Sequence, residues 1–318
     1  MTELTLGTLG YGAANLGNFH RIMSDDESMA ILDAAWDAGI RYFDTAPHYG
    51  LGLSESRLGA FLRGKPREEF VLSTKVGRLI RPNPEGAGTL DLDNDFHVPA
   101  DSKRVWDFSA DGIRTSLEES LERMGLDRVD ILYLHDPERH DLELGLGEGI
   151  PALAALRAEG IVTAIGVGSM VTEALLASVE TASLDLLMVA GRYTLAEQPA
   201  LEEVVPACER AGVGIVNASI FNSGLLASDD PGLNARYEYG EVPPALLERV
   251  RAIADLCHEF GVSLPTAALQ YAGRNAAVRS VIVGGSRPVQ LRENAERMSE
   301  PVPEALWAAL VDHGLVSA

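Results

Sequence analysis

Short apolar runs alternate along the chain with longer segments whose apolar residues recur at helical spacing. The runs Leu9–Ala14, Arg41–Thr45, Phe70–Val76, Val129–His135, Val162–Gly168, Leu184–Ala190, Gly214–Ile220 and Arg279–Gly284 predict eight β-strands. Two of them, VDILYLH and RSVIVG, are almost continuously apolar, as suits parallel strands covered on both faces. Helices are predicted between the strands. Asp25–Ala38 follows the N-cap residue Ser24 and ends before Gly39; Ala110–Met124 follows Ser109 and ends before Gly125. Ala152–Glu159 stops at Gly160, Thr172–Ala182 follows the fifth strand, and Ala200–Ala211 stops at Gly212. Pro303–Asp312 reads as one more helix packed outside.

Repeated strand–helix–glycine order is the mark of a parallel sheet with crossover helices. Eight such units without a break predict an α/β protein with a closed (β/α)8 TIM barrel, a single domain over residues 1–318. An open dinucleotide-binding sheet would carry GxGxxG after its first strand. Here GYGAANLG has the first two glycines but Asn15 at the third position, and no helix is predicted to begin there. Two connections exceed ordinary loop length, Gly77–Phe108 and Asn222–Val242. Both leave C-terminal strand ends, the face on which barrel enzymes carry their chemistry.

Three of those strand ends carry proton-active side chains. Strand two ends in RYFDTAPHYG, with Asp44 at its mouth and Tyr49 just beyond; strand three ends at Lys75 and strand four at His135. Taken singly, each residue has an ordinary role open to it: a cap for Asp44, packing for Tyr49, a solvated charge for Lys75, a satisfied polar core group for His135. Together they have a chemical use, because consecutive barrel strands are neighbours. A lysine cation about 4 Å from a phenol favours the phenolate by roughly 4 kcal/mol at an effective dielectric near 20, drawing it down from about 10 toward neutrality. Asp44 would hold the lysine, and a neutral His135 would orient a substrate oxygen, leaving Tyr49 to exchange a proton while a hydride moves elsewhere.

Composition narrows the partners. Apolar residues are 46% and charged residues 23% of 318, ordinary for a soluble globular protein. Lysine plus arginine total 26 against 47 aspartates plus glutamates, a net charge of −21 that disfavours nucleic acid and membrane surfaces as partners. Cys208 and Cys257 form no CxxC pair and no disulfide framework, which predicts a reducing compartment. With no basic-then-apolar leader and no run of 18 apolar residues, a cytoplasmic location is expected. The expected partner is a small molecule. Nothing in the chain sets an oligomeric state.

The segment AWDAGIRYFDTAPHYGLGLSESRLG, followed by STKVG and later LHD, closely resembles the aldo-keto reductases, and the likeness runs from LGYGAANLGN to VGGSRPVQLREN. The resemblance implies a (β/α)8 barrel with a nicotinamide dinucleotide across its C-terminal face and a catalytic tetrad at Asp44, Tyr49, Lys75 and His135. HYGLGLSESRLG, WDFSADGIRTSLEESL and FNSGLL resemble the subgroup of D-threo-aldose 1-dehydrogenases, L-fucose and galactose dehydrogenases and pyridoxal 4-dehydrogenases. That likeness implies oxidation of the anomeric carbon of an aldose to a lactone, with Tyr49 accepting the hydroxyl proton.

The same resemblance suggests cofactor contacts. Gly12 and Ala13 would lie near the nicotinamide ribose beside Asp44, and Ser169 stands where many members hold the carboxamide with an asparagine. After strand seven the chain reads Ala218-Ser219-Ile220-Phe221, without the stacking tyrosine common in the family; Ser219, Phe221 and Ser223 are the pyrophosphate-side candidates. Gly284, Ser286, Arg287, Gln290 and Asn294 fall in the adenosine-end motif. Gly284 and Gln290 are neutral where many NADP-dependent members have cations, which favours NAD slightly over NADP, since a 2′-phosphate needs charge-assisted partners. His48, Tyr49, Trp106 and His135 are the substrate-side candidates; Trp106 is equally suited to plug the gap between loop and barrel. The competing readings are an NADPH-dependent reductase of aldehydes or ketones, a cofactor-binding regulatory subunit, and a metal-dependent hydrolase. The last has only His48, His97, His135, Asp136 and His140 to offer, and no metal site is expected.

Overall fold

The computed structural model describes residues 4–181, 184–232, 236–238 and 240–317. Its strands are β1 (Leu9–Gly12), β2 (Tyr42–Asp44), β3 (Val71–Val76), β4 (Arg78–Pro82), β5 (Ser102–Trp106), β6 (Ile131–His135), β7 (Ala164–Ser169), β8 (Leu186–Ala190), β9 (Gly214–Ala218) and β10 (Val278–Val283). All but β4 and β5 close into a parallel barrel in the order β1-β10-β9-β8-β7-β6-β3-β2. The predicted TIM barrel is present, built from the eight predicted runs, several of them a residue or two shorter.

Strand alternation divides the core in two. Tyr42, Tyr133, Leu186, Met188, Val216 and Ile282 pack inside the barrel, while Phe43, Leu72, Leu132, Leu134 and Val167 face the surrounding helices. Large and small residues alternate in the lumen. A Cβ at Gly166 would stand 2.8 Å from the Tyr133 ring, so the glycine makes room for it. The inward positions next to this layer, at the C-terminal ends, belong to Asp44, Lys75 and His135.

The helices are α1 (Asp25–Asp37), α2 (Leu53–Leu62), α3 (Ala110–Met124), α4 (Leu142–Leu144), α5 (Ile150–Ala158), α6 (Thr172–Thr181), α7 (Val204–Ala211), α8 (Pro244–Glu259), α9 (Leu264–Tyr271), α10 (Pro288–Arg297) and α11 (Glu304–Asp312). Ser24 and Glu27 form a capping box on α1, and the Ser109 hydroxyl accepts a hydrogen bond from Gly112 N–H on α3. Ala182, the last residue of one predicted helix, lies outside the described residues.

Several expectations need correction. The connection Gly77–Phe108 contains an antiparallel hairpin, with Arg78 paired to Trp106 and Pro82 to Ser102. The helix expected from Ala152 begins at Leu142 and passes through a π-helical turn at Gly145–Gly149 into α5. The glycines of this turn permit close packing: a Cβ at Gly145 would stand 2.5 Å from Pro137 Cβ. The predicted helix Ala200–Ala211 is split into a short 3-10 turn at Pro199–Leu201 and α7. No helix is predicted over α2, α8, α9 or α10; buried polar residues interrupt the apolar spacing of α2, α9 and α10, whereas α8 buries an apolar face at helical spacing.

Candidate active site

β2 delivers Asp44 at its last residue, and its register places Asp44 beside Gly12 of β1 and Ser73 of β3. Two residues further along β3 stands Lys75, beside Tyr133 of β6. His135 ends β6. Tyr49 is held by the turn that follows β2. There the backbones of Gly17 and Gly50 nearly touch: a Cβ on Gly17 would lie 2.6 Å from the Tyr49 carbonyl carbon, and Gly50 sits at φ +62°. Below this turn, α2 is anchored through its polar residues. Ser54 donates to the Ala13 carbonyl oxygen, Glu55 accepts from Thr74 and Arg123, and Arg57 donates to Asp25, Asn18 and the Leu16 and Met23 carbonyl oxygens.

The four residues meet. Lys75 Nζ donates to Asp44 Oδ2 at 2.5 Å, to the Thr45 carbonyl oxygen at 3.0 Å and to the Tyr49 hydroxyl at 3.1 Å. Ser73 Oγ donates to the other Asp44 oxygen at 2.7 Å, and the Tyr42 hydroxyl bonds Ser73 and Tyr133 in turn. The His135 ring lies edge-on to Tyr49 with centroids 5.8 Å apart, and edge-on to His48 at 5.6 Å.

The electrostatics correct one expectation. Burial raises the Tyr49 phenol, the Lys75 ammonium pulls it down, and the Asp44 carboxylate raises it again; the net direction is upward. The lysine stands beside the phenol, but burial outweighs it and Asp44, closer to Nζ than Tyr49 is, opposes its field. Lys75 itself is lowered by burial and raised more by Asp44 and Tyr49, so it stays charged. His135 is driven well down by burial and then by Arg78 and Lys75. His48 is lowered by burial and then by Arg78 and Arg104. Both imidazoles are neutral at physiological pH and can present an N–H to a ligand oxygen.

These groups sit at one end of a cavity of about 850 Å³. Of the other candidates, Gly12, His48, Ser169, Ser219, Phe221, Ser223, Gly284, Ser286, Arg287, Gln290 and Asn294 line it. Two do not. Ala13 is buried in the core beneath the turn, and its neighbours Ala14 and Asn15 take its place on the cavity wall. Trp106 lies in the hairpin, stacked on His140 at 5.4 Å with Arg78 over its ring at 4.3 Å. There it closes the gap between hairpin and barrel. Lining residues that the sequence did not single out include Phe96, Arg139 and Arg192, placed by loop folding rather than by any local motif. Asp136, which follows His135 in the LHD segment, also lines the cavity. Among the described residues, no group of three or more His, Cys, Asp or Glu is arranged to hold a metal ion.

A family model described as the aldo/keto reductase family matches residues 8–314. The chain belongs to this family. It is 61% identical over 98% of its length to a D-threo-aldose 1-dehydrogenase from Pseudomonas sp., covering 95% of that protein. It is 37% identical over 99% of its length to a pyridoxal 4-dehydrogenase from Microbacterium luteolum, covering 96% of that protein. A solved glycerol dehydrogenase from Gluconobacter oxydans shares the fold, with a TM-score of 0.78 at 21% identity over 98% of this chain and 92% of that one. The protein is an aldo/keto reductase-type oxidoreductase, and membership implies a nicotinamide dinucleotide.

The residues fit such a group. From the Tyr49 end the cavity extends past Ser169 and Arg192 to Ser286, Arg287, Asn294 and Arg297. Arg192 is already paired with Glu197 and Glu238, so Arg287 and Arg297 are the cations suited to the dinucleotide's phosphates. Asn222 lines the cavity, and its Oδ1 is buried without a hydrogen-bond partner among the described residues. Gln290 Oε1 accepts from the Ser286 and Arg287 N–H groups at 2.9 and 3.1 Å, fixing the turn at the far end. Among the described residues no helix is long and apolar enough to cross a membrane.

Proposed function

We propose that this enzyme oxidises the anomeric carbon of an aldose to a lactone. The supporting observation is the Tyr49 hydroxyl 3.1 Å from Lys75 Nζ beside a neutral His135, in a chain 61% identical to a D-threo-aldose 1-dehydrogenase. A nicotinamide dinucleotide, when bound in this cavity, would supply the two-electron acceptor for the hydride lost from C1. Tyr49, as phenolate, takes the C1 hydroxyl proton, and the C1–O single bond becomes the lactone carbonyl. Lys75 stabilises the phenolate, Asp44, itself fixed by Ser73, holds Lys75, and His135 donates its N–H to the reacting oxygen.

The same groups run the reverse proton transfer. The Tyr49 phenol stays protonated at neutral pH and so carries the proton that reduction needs, which favours reduction of an aldehyde or ketone, pyridoxal-type compounds included, as the second reading. Gly284 and Gln290 supply no charge at the adenosine end, so NAD is the proposed cofactor over NADP, with Arg287 the cation best placed for a 2′-phosphate. We place the enzyme in the cytoplasm; Cys208 and Cys257 are free, buried thiols pushed up to about 12 by burial.

The test follows absorbance of the reduced cofactor with L-fucose, D-arabinose, L-galactose, D-galactose and pyridoxal, each with NAD and NADP. Turnover of an aldose with NAD at the higher kcat/KM is expected. Turnover of pyridoxal alone, or a large NADP preference, overturns the corresponding part of the proposal.

A further inference from the structure

Asp136 follows His135 and lines the same cavity as Tyr49 and Lys75. Its backbone lies in the left-handed region at φ 44° and ψ 58°, unusual for a residue with a side chain though tolerated by aspartate. A hydrogen bond from its N–H to the Gly168 carbonyl oxygen, 2.9 Å, holds it there. Its carboxylate is fixed through one oxygen. Arg78, itself buried, donates to Oδ2 at 2.6 Å, and Arg139 Nε lies 3.7 Å from the same oxygen. The second oxygen, Oδ1, accepts no hydrogen bond from any described residue and is not sealed from the cavity. His135 Nε2 stands 3.6 Å from Oδ2, too far for a hydrogen bond, so Asp136 does not set the histidine's orientation.

A carboxylate pinned through one oxygen and open through the other is an acceptor waiting for an O–H or N–H donor. We propose that Asp136 Oδ1 receives the hydroxyl on the carbon next to the reacting one, and so selects aldoses and α-hydroxy carbonyl compounds. This rests on the aldose reading above. When the reacting oxygen is held by Tyr49 and His135, the neighbouring hydroxyl of a sugar lies about one hydrogen-bond length away, matching the short reach from His135 to the Asp136 carboxylate. Bonds to an ionised acceptor are about twice as strong as neutral ones. A substrate lacking the hydroxyl leaves that carboxylate oxygen facing carbon with water displaced, and the site rejects it.

The test is a cycle of four kcat/KM values: an accepted aldose and its 2-deoxy analogue, such as L-fucose and 2-deoxy-L-fucose, each with the native enzyme and Asp136→Asn. Asparagine can keep its oxygen on Arg78 but turns an amide, not an acceptor, to the cavity. The native enzyme is expected to lose on the order of 10- to 100-fold on removal of the hydroxyl. The variant should lose a similar factor on the parent sugar and no longer distinguish the two, with cofactor affinity unchanged. If the variant lowers both sugars equally and the discrimination survives, Asp136 only balances Arg78 and the proposal fails. Should the variant not fold, equal use of both sugars by the native enzyme overturns it alone. If no aldose is turned over, the proposed function fails separately; the same cycle with lactaldehyde and propanal in the reductive direction then decides the role of Asp136.

Discussion

At the scale of single residues, the site turns on how one phenol is balanced. Lys75 lies 3.1 Å from the Tyr49 hydroxyl and 2.5 Å from Asp44, so Tyr49 feels the field of a dipole rather than of a bare cation. That field is too weak to offset burial, and the phenol stays protonated at neutral pH. The sign of the pH dependence follows. Oxidation needs the phenolate, whose fraction grows about tenfold per pH unit below the pKa, so kcat/KM for oxidation should climb steadily from neutral into alkaline solution. Reduction needs the phenol and should stay level over about pH 6–8, because His135 is already neutral throughout that range. A pH profile measured in both directions checks this; a rate of oxidation that is flat above neutrality would contradict it. Replacing Tyr49 with Phe removes the proton carrier without emptying the cavity. Turnover should fall by on the order of 100-fold or more, while fluorescence titration should find cofactor binding retained.

At the scale of elements, the loops are held by polar anchors. The SESR run of α2 puts Ser54, Glu55 and Arg57 into the protein, where they tie the segment after β1, together with β3 and α3, to the turn that carries Tyr49. Arg57 is largely buried and binds the carbonyl oxygens of Leu16 and Met23. Arg57→Ala leaves these acceptors unpaired and should cost about 3 kcal/mol, read as a shift in the urea midpoint. The hairpin β4–β5 does related work on the substrate side. Arg104 binds Asp91 at 2.6 Å and the His48 carbonyl oxygen at 2.7 Å, steadying the segment that brings Phe96 within 5.5 Å of the His48 ring. Arg104→Ala should raise substrate KM by on the order of tenfold with a smaller change in kcat, since it loosens the pocket wall without touching the proton path. Equal losses in both constants would place Arg104 in the chemistry itself.

At the scale of the whole molecule, the barrel converts distance along the chain into proximity, and the cavity spans its mouth from β2 to α10. A ligand that bridges so much of the fold should stabilise it. Cofactor at about a hundred times its Kd adds roughly 2.7 kcal/mol, or several degrees in Tm. Thermal melts with NAD and NADP at equal concentration should show the larger shift with NAD. The sequence by itself determined the strands, through apolar runs with glycine-ended helices between them. It also determined that Asp44, Lys75 and His135 lie at C-terminal strand ends, because strand period and parallel order depend only on local pattern. Helix α2 was hidden because its first turn buries Ser54, Glu55 and Arg57, which local hydrophobicity reads as solvent-facing, ahead of the apolar Leu58, Phe61 and Leu62. The hairpin was hidden because its partners are separated by the Asn83–Asp101 stretch. Only the tertiary structure decided that Ala13 leaves the cavity wall, that Trp106 serves as a plug, and that the phenol is raised rather than lowered. Each of these depends on burial and on the sum of charges arriving from distant strands, quantities that no stretch of sequence contains.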